Sequence, residues 1–129
     1  MEQDPIVGMS KLTVRASDTS LAHGSNDLHS ISPSVLVTLA EGAVQAALND
    51  QLAPGESSVT MSVSLEIKDI AGVGSELFAS AKSISHEAGV FHFAIAISHE
   101  DIIIAQGEIV RKVIDRVTMS AKIAARSRR

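Results

Sequence analysis

Apolar positions change their period once along the chain. From about residue 33 to residue 49 they fall on every side, as Val35, Leu36, Val37, Leu39, Ala40, Ala43, Val44, Ala47 and Leu48. That pattern predicts a buried helix rather than a surface one. Ser32 stands where an N-cap hydroxyl accepts a backbone N–H, and Pro33 takes the first helical position, where its missing N–H costs nothing. Residues 53–56, Ala-Pro-Gly-Glu, stop the helix and turn the chain. After that the period is two. Residues 58–68 alternate, with Val59, Met61, Val63, Leu65 and Ile67 on one predicted face. Residues 75–85 form a second strand whose phase slips between Ala81 and Ile84, the sign of a bulge or strand end. Residues 90–98 form a third, with Phe91, Phe93, Ile95 and Ile97 on one face. Residues 102–113 form a fourth, with Gly107 marking a bend or a close backbone approach. The turns between them fall at 86–89 and 99–101.

Ahead of the helix, residues 11–16 alternate as a half-buried strand, and residues 17–26 have the Ser, Asp, Gly and Asn content of a loop. Residues 1–10 show no period and read as a lead-in. Residues 115–129 read as a basic C-terminal tail with weak helical spacing. The order is strand, loop, helix and four antiparallel strands in a meander. It predicts an α+β domain in which a sheet curls around one long helix. The sheet's other face is either wet or paired with a second copy.

Composition narrows the partners. A chain of 129 residues with 45% hydrophobic and 20% charged residues is a single globular domain by expectation. A net charge of −4 and only three aromatic residues, all Phe, argue against nucleic-acid binding by charge or by base stacking. The absence of cysteine removes disulfides, thiolate–metal sites and a cysteine nucleophile. No apolar run approaches the ~20 residues of a membrane span, and the acidic N-terminus lacks a signal-peptide core. A cytoplasmic location is the default expectation.

Glu41 is the one acid inside the apolar helix, and an isolated acid there needs a partner or a purpose. Ser34 lies seven residues before it, two helical turns away on roughly the same face. The five histidines lack metal-ligand spacing, so no metal is expected. Gly72 and Gly74 lack the third glycine and following helix of a dinucleotide site, and no G-x-S-x-G is present.

Three stretches carry a family resemblance. Gly24-Ser25-Asn26-Asp27-Leu28, then the helix with Ala40-Glu41-Gly42-Ala43, is the first. Leu52-Ala53-Pro54-Gly55-Glu56 is the second, and Gly107-Glu108-Ile109-Val110-Arg111 is the third. In their order and spacing, over about residues 11–114, they resemble the hotdog-fold thioesterases, and within them the fluoroacetyl-CoA thioesterase-like group.

The resemblance implies an antiparallel sheet wrapped around the central helix and a homodimer or dimer of dimers with sites at the interface. It implies hydrolysis of a small acyl-CoA, with CoA as part of the substrate and no other cofactor. In the group a Thr at the helix entrance, a Glu in the helix and a His on the following strand act together. The Glu matches Glu41. The Thr position is Pro33, flanked by Ser32 and Ser34, so these serines are the candidate hydroxyls and the helix end is the candidate carbonyl-polarising group. The His position is Ile67. Catalytic candidates are therefore Glu41, Ser34 and Ser32. Substrate-binding candidates are Pro33, Ile67, Gly72, Gly74 and His29. The departure at Ile67 leaves a second reading, a catalytically reduced module that binds acyl-CoA or another small apolar ligand.

Overall fold

The structure, a computed structural model, describes residues 4–127; part of the acidic N-terminus and the basic residues Arg128 and Arg129 lie outside the described residues. Strand β1 (Val7–Thr13) leads into a short 3-10 turn (Ala16–Asp18) and then helix α1 (Pro33–Leu48). Four strands follow, β2 (Glu56–Ile67), β3 (Glu76–Glu87), β4 (Val90–His99) and β5 (Ile102–Asp115), and then helix α2 (Arg116–Ser127). The sheet is antiparallel throughout, in the order β1-β3-β4-β5-β2.

The core lies between α1 and one face of this sheet. Leu36, Val44 and Leu48 of the helix meet Leu77, Phe93, Ile97 and Ile109 of the strands, all fully buried. Each such side chain contributes about 1.5–3 kcal/mol of hydrophobic stabilisation. Phe91, Phe93, Ile95 and Ile97 share the core face of β4, as their alternation predicts, and the phase slip in β3 is a register shift between Ser83 and Ser85. Phe78 lies on the opposite face of the sheet from Phe91 and Phe93 and is exposed.

Four sequence expectations are corrected. First, β1 starts at Val7, inside the stretch read as a lead-in. Its hydrophobic period is hidden because the residue under the helix is Gly8: a Cβ there would stand 2.1 Å from the Ala43 carbonyl oxygen. Only glycine lets strand and helix backbones come this close. Second, only β3, β4 and β5 form a meander. The segment between β2 and β3 bridges back to the loop before α1 (Ser30 with Gly72, and Ile31 N–H to Ala71 O at 2.8 Å), which carries the chain from one sheet edge to the other. Third, α1 is not buried all round. Ser34, Thr38, Gly42, Gln45 and Ala46 form an exposed stripe.

The fourth concerns β2, which is not one continuous alternation. A bulge at Met61 inserts an extra residue between Thr60, opposite Arg111, and Ser62, opposite Val110. Directly opposed residues share a face. Ile109 and Arg111 are buried toward α1, so the helix-facing set of β2 is Ser58, Thr60, Val63, Leu65 and Ile67. Val59 falls on the outer face and Met61 is the unpaired extra residue. Gly107 also meets the expectation of close approach: a Cβ there would be 1.8 Å from Ser64 O on β2.

Candidate active site

Glu41 leans from α1 toward the β2–β5 edge of the sheet. Thr60 donates its hydroxyl to Glu41 Oε1 at 2.6 Å, and Arg111 places its guanidinium 3.7 Å from Oε2. Arg111 also donates from Nε to Thr60 Oγ1 at 2.8 Å, and from one terminal nitrogen to Ser58 Oγ at 3.0 Å and Gln45 Oε1 at 3.2 Å. The Arg111 side chain is 7% exposed and the Glu41 side chain 35% exposed. A buried arginine thus spends its donors on fixing Thr60, and Thr60 fixes the carboxylate. The free edge of Glu41 meets solvent, a geometry suited to a carboxylate that acts on a bound molecule.

The sequence singles out Glu41 but not these partners. The signal for Arg111 is its place in β5: Ile109, Arg111 and Val113 alternate, so the arginine occupies a core-facing position and needs an acid nearby. Thr60 is hidden by the bulge, because simple alternation assigns it to the polar face.

At the helix entrance, Ser32 occupies the N-cap position, but its hydroxyl makes no capping bond. Its carbonyl accepts from Val35 N and Leu36 N, and its hydroxyl, 1% exposed, lies 2.9 Å from Ser34 Oγ. Ser34 Oγ is also 3.2 Å from His23 Nδ1. Pro33 is exposed at the first helical position. The structure therefore joins Ser32 and Ser34 and adds His23 to them, while Glu41 lies two turns along the same helix.

The substrate-binding candidates are more dispersed. Ile67 ends β2 opposite Ala105, on the helix-facing side, and is 43% exposed. Gly72 and Gly74 lie in the β2–β3 connection, with open space where a Cβ would go. Gly74 has φ +93°, a left-handed conformation that favours glycine, so its own backbone accounts for it. His29 is exposed in the loop before α1, where no side-chain partner is seen. Among the described residues no group of three His, Asp or Glu side chains stands close enough to hold a metal ion.

Below the helix entrance, Arg15 and Asp18 form an ion pair at 3.2 Å with Asp18 8% exposed. The Arg15 side chain holds the Asp18 carboxyl below the ordinary carboxylate value, against the burial that pushes it up; the Arg15 backbone N–H adds to the lowering.

The sequence matches the family described as fluoroacetyl-CoA-specific thioesterase over residues 14–117. A structure of the fluoroacetyl-CoA thioesterase FlK is similar at 18% identity, with a TM-score of 0.86 over 97% of each chain. A Thermus thermophilus hypothetical protein described as a thioesterase superfamily member has a TM-score of 0.89 at 13% identity, over 97% of this chain and 93% of that one. A hot-dog-like protein from Thermanaerovibrio acidaminovorans has a TM-score of 0.86 at 17% identity, over 95% and 93%. No curated protein matches the sequence. These likenesses show the hotdog fold, a curled antiparallel sheet on a central helix. With the sequence match over most of its length, the chain belongs to the fluoroacetyl-CoA-specific thioesterase family of the hotdog superfamily.

Proposed function

We propose that the protein hydrolyses a small acyl-CoA thioester, with Glu41 as the reacting carboxylate and the N-terminal end of α1 polarising the carbonyl. The observation that carries this reading is the fixed, one-third exposed Glu41, held by Thr60 at 2.6 Å and by the buried Arg111. As a base, Glu41 takes a proton from water, and the hydroxide adds to the thioester carbon. The C–S bond then breaks, and the departing thiolate recovers the proton as free CoA thiol. As a nucleophile, the same carboxylate displaces the CoA thiolate to form a mixed anhydride; water then opens it to the free acid, returning the Glu41 carboxylate and a proton that the thiolate takes up. Developing negative charge on the carbonyl oxygen is met by helix N–H groups and a serine hydroxyl.

The working unit is a homodimer, or a dimer of dimers, joined along β2. Among the described residues that strand pairs only with β5, which leaves its other edge open, and it exposes Met61, Val63 and Ile67. An open, apolar edge strand is a template for pairing with another chain. Light scattering should report at least a dimer, and Val63→Lys should weaken it; a monomeric parent would remove the shared-interface reading.

One observation favours the second reading, a module that binds an acyl-CoA without turning it over: Ile67 stands where the group's strand histidine is expected. Thiol release from a panel of short, branched and aromatic acyl-CoAs separates the two, with Glu41→Gln alongside. Turnover lost in Glu41→Gln supports hydrolysis. Binding with no turnover of any ester supports the module, and full activity in Glu41→Gln rejects Glu41 as the reacting group.

A further inference from the structure

The loop between β1 and α1 devotes its buried polar groups to holding one exposed side chain. Asp18, Thr19 and Ser20 are buried. Thr19 Oγ1 donates to Ala16 O at 2.8 Å and accepts from Ala22 N at 3.2 Å. His23 N donates to Thr19 O at 3.0 Å, Ser20 N to Ser30 O at 2.7 Å, and Ser25 N to Ser20 O at 2.9 Å. Ser32 N ties the loop to the helix entrance through Asp18 O at 2.9 Å. The backbone at His23 is thereby fixed although its side chain reaches solvent.

Among the described residues His23 is also the one histidine whose ring bonds a side-chain hydroxyl, with Nδ1 3.2 Å from Ser34 Oγ. His99 bonds a backbone carbonyl and His86 stacks on Phe91. Ser34 Oγ in turn meets the buried Ser32 Oγ at 2.9 Å. Proton counting limits the arrangement, because each hydroxyl has one proton to donate and two acceptor sites. The Ser32 proton is buried, and leaving it unpaired is costly, so it goes to Ser34. With the ring hydrogen on Nδ1, His23 donates to the second acceptor site of Ser34 and the Ser34 proton is left free to point outward; with it on Nε2, Ser34 would donate to Nδ1 instead.

Of these three residues only His23 lines the neighbouring cavity of about 380 Å³ between β1 and α1, together with Leu12, Val35, Thr38 and Leu39. The charged groups facing it are Lys11, Arg15 and Asp18.

We infer that His23 is a positioning residue: it donates Nδ1–H to Ser34 and so turns the Ser34 proton toward the carbonyl oxygen of an acyl ligand lying along the helix face that Ser34 shares with Glu41. For its ligand the inference rests on the thioesterase reading; for its geometry it does not. Nothing covalent happens at His23. It aims a donor whose hydrogen bond strengthens as charge grows on the oxygen.

Two measurements test this. Long-range proton–nitrogen NMR reads the ring tautomer directly. His23 should carry hydrogen on Nδ1 in the parent, and Ser34→Ala should shift it toward the Nε2–H form. An Nε2–H ring in both proteins overturns the inference, whatever the protein hydrolyses. In kinetics, His23→Ala should lower kcat roughly tenfold with KM little changed, less than the 10²–10³ of losing an oxyanion donor outright. His23→Asn, whose amide N–H replaces Nδ1–H, should recover most of that loss. An unchanged kcat in His23→Ala, or no recovery in His23→Asn, overturns the positioning role. The expected tautomer with no ester turned over supports the geometry and rejects the thioesterase reading alone.

Discussion

Replacing Arg111 by Ala removes the side chain that ties Glu41 to the sheet. The guanidinium makes three hydrogen bonds, at 2.8, 3.0 and 3.2 Å, and one ion pair at 3.7 Å. At an effective dielectric constant near 20 that ion pair carries about 4 kcal/mol of Coulomb energy, before desolvation. Because Glu41 is one-third exposed, solvent screening leaves about 1 kcal/mol of it as net coupling. Ser58 and Gln45 are accessible enough to rehydrate, so most of the remaining cost is the Thr60 bond and lost packing of the arginine stem. The sum is about 3 kcal/mol, at the low end for breaking a buried pair. Urea unfolding measures it as a fall in midpoint at constant slope. Arg111→Lys should recover less than half, since an ammonium cannot serve Thr60, Ser58 and Gln45 in the fork geometry. A double-mutant cycle of Arg111→Ala with Glu41→Gln isolates the pair and should give about 1 kcal/mol of coupling. A loss under about 0.5 kcal/mol with no coupling would refute the claim that Arg111 holds Glu41 in place.

Gly8→Ala should destabilise by about 2 kcal/mol or more, because its methyl group meets helix backbone 2.1 Å away; thermal unfolding checks it. Asp18 has a folded-state pKa below its unfolded value, so the stability it adds is present above the ordinary value of 3.8 and is lost as pH falls through the folded value. Asp18→Asn should therefore lower stability at neutral pH and flatten the acid limb of urea midpoints measured below about pH 4. Asp115 accepts from Thr118 N at 2.8 Å at the start of α2, a bond that holds its carboxyl below the ordinary value. Asp115→Ala should loosen the first turn of α2, read as faster amide exchange in residues 116–120.

The residues that were legible in the sequence are those whose role follows from a period. The core face of β4 and the slip in β3 come from alternation, and Gly107 from an interruption of it. Glu41 stands out because one charge breaks an apolar run. The rest depends on contacts that no period encodes. Gly8 looks like loop because its contribution is an absent side chain. Ser32 reads as a cap from position alone, yet its hydroxyl turns to Ser34, since the loop supplies His23 as a third member. Strand pairing across the sheet was not legible either: β2 is followed in sequence by β3 but pairs with β5, because the segment between them is held by the loop before α1.

The bulge at Met61 shows how one residue hides a site, and it gives the sharpest test of the register. Unbroken alternation puts Val59, Met61 and Val63 on one face and sends Ser58 and Thr60 to the other. The observed pairing sends Ser58 and Thr60 inward to Arg111, with Met61 as the extra residue. The two arrangements respond oppositely to deletion of Met61. If alternation were unbroken, deletion would invert one half of the strand and bury the wrong face. With Met61 as the bulge, deletion joins Thr60 opposite Arg111 directly to Ser62 opposite Val110, and every other residue keeps its face. The variant lacking Met61 should therefore fold, keep the Arg111 network and lose little stability, about 1 kcal/mol. Deleting Ser64, which lies in regular pairing, shifts Leu65 and Ile67 off the helix-facing side and should cost at least about 2 kcal/mol more. Urea midpoints of the two variants decide it. Equal losses would mean that Met61 is not the inserted residue, and that Thr60 does not reach Glu41 by way of the bulge.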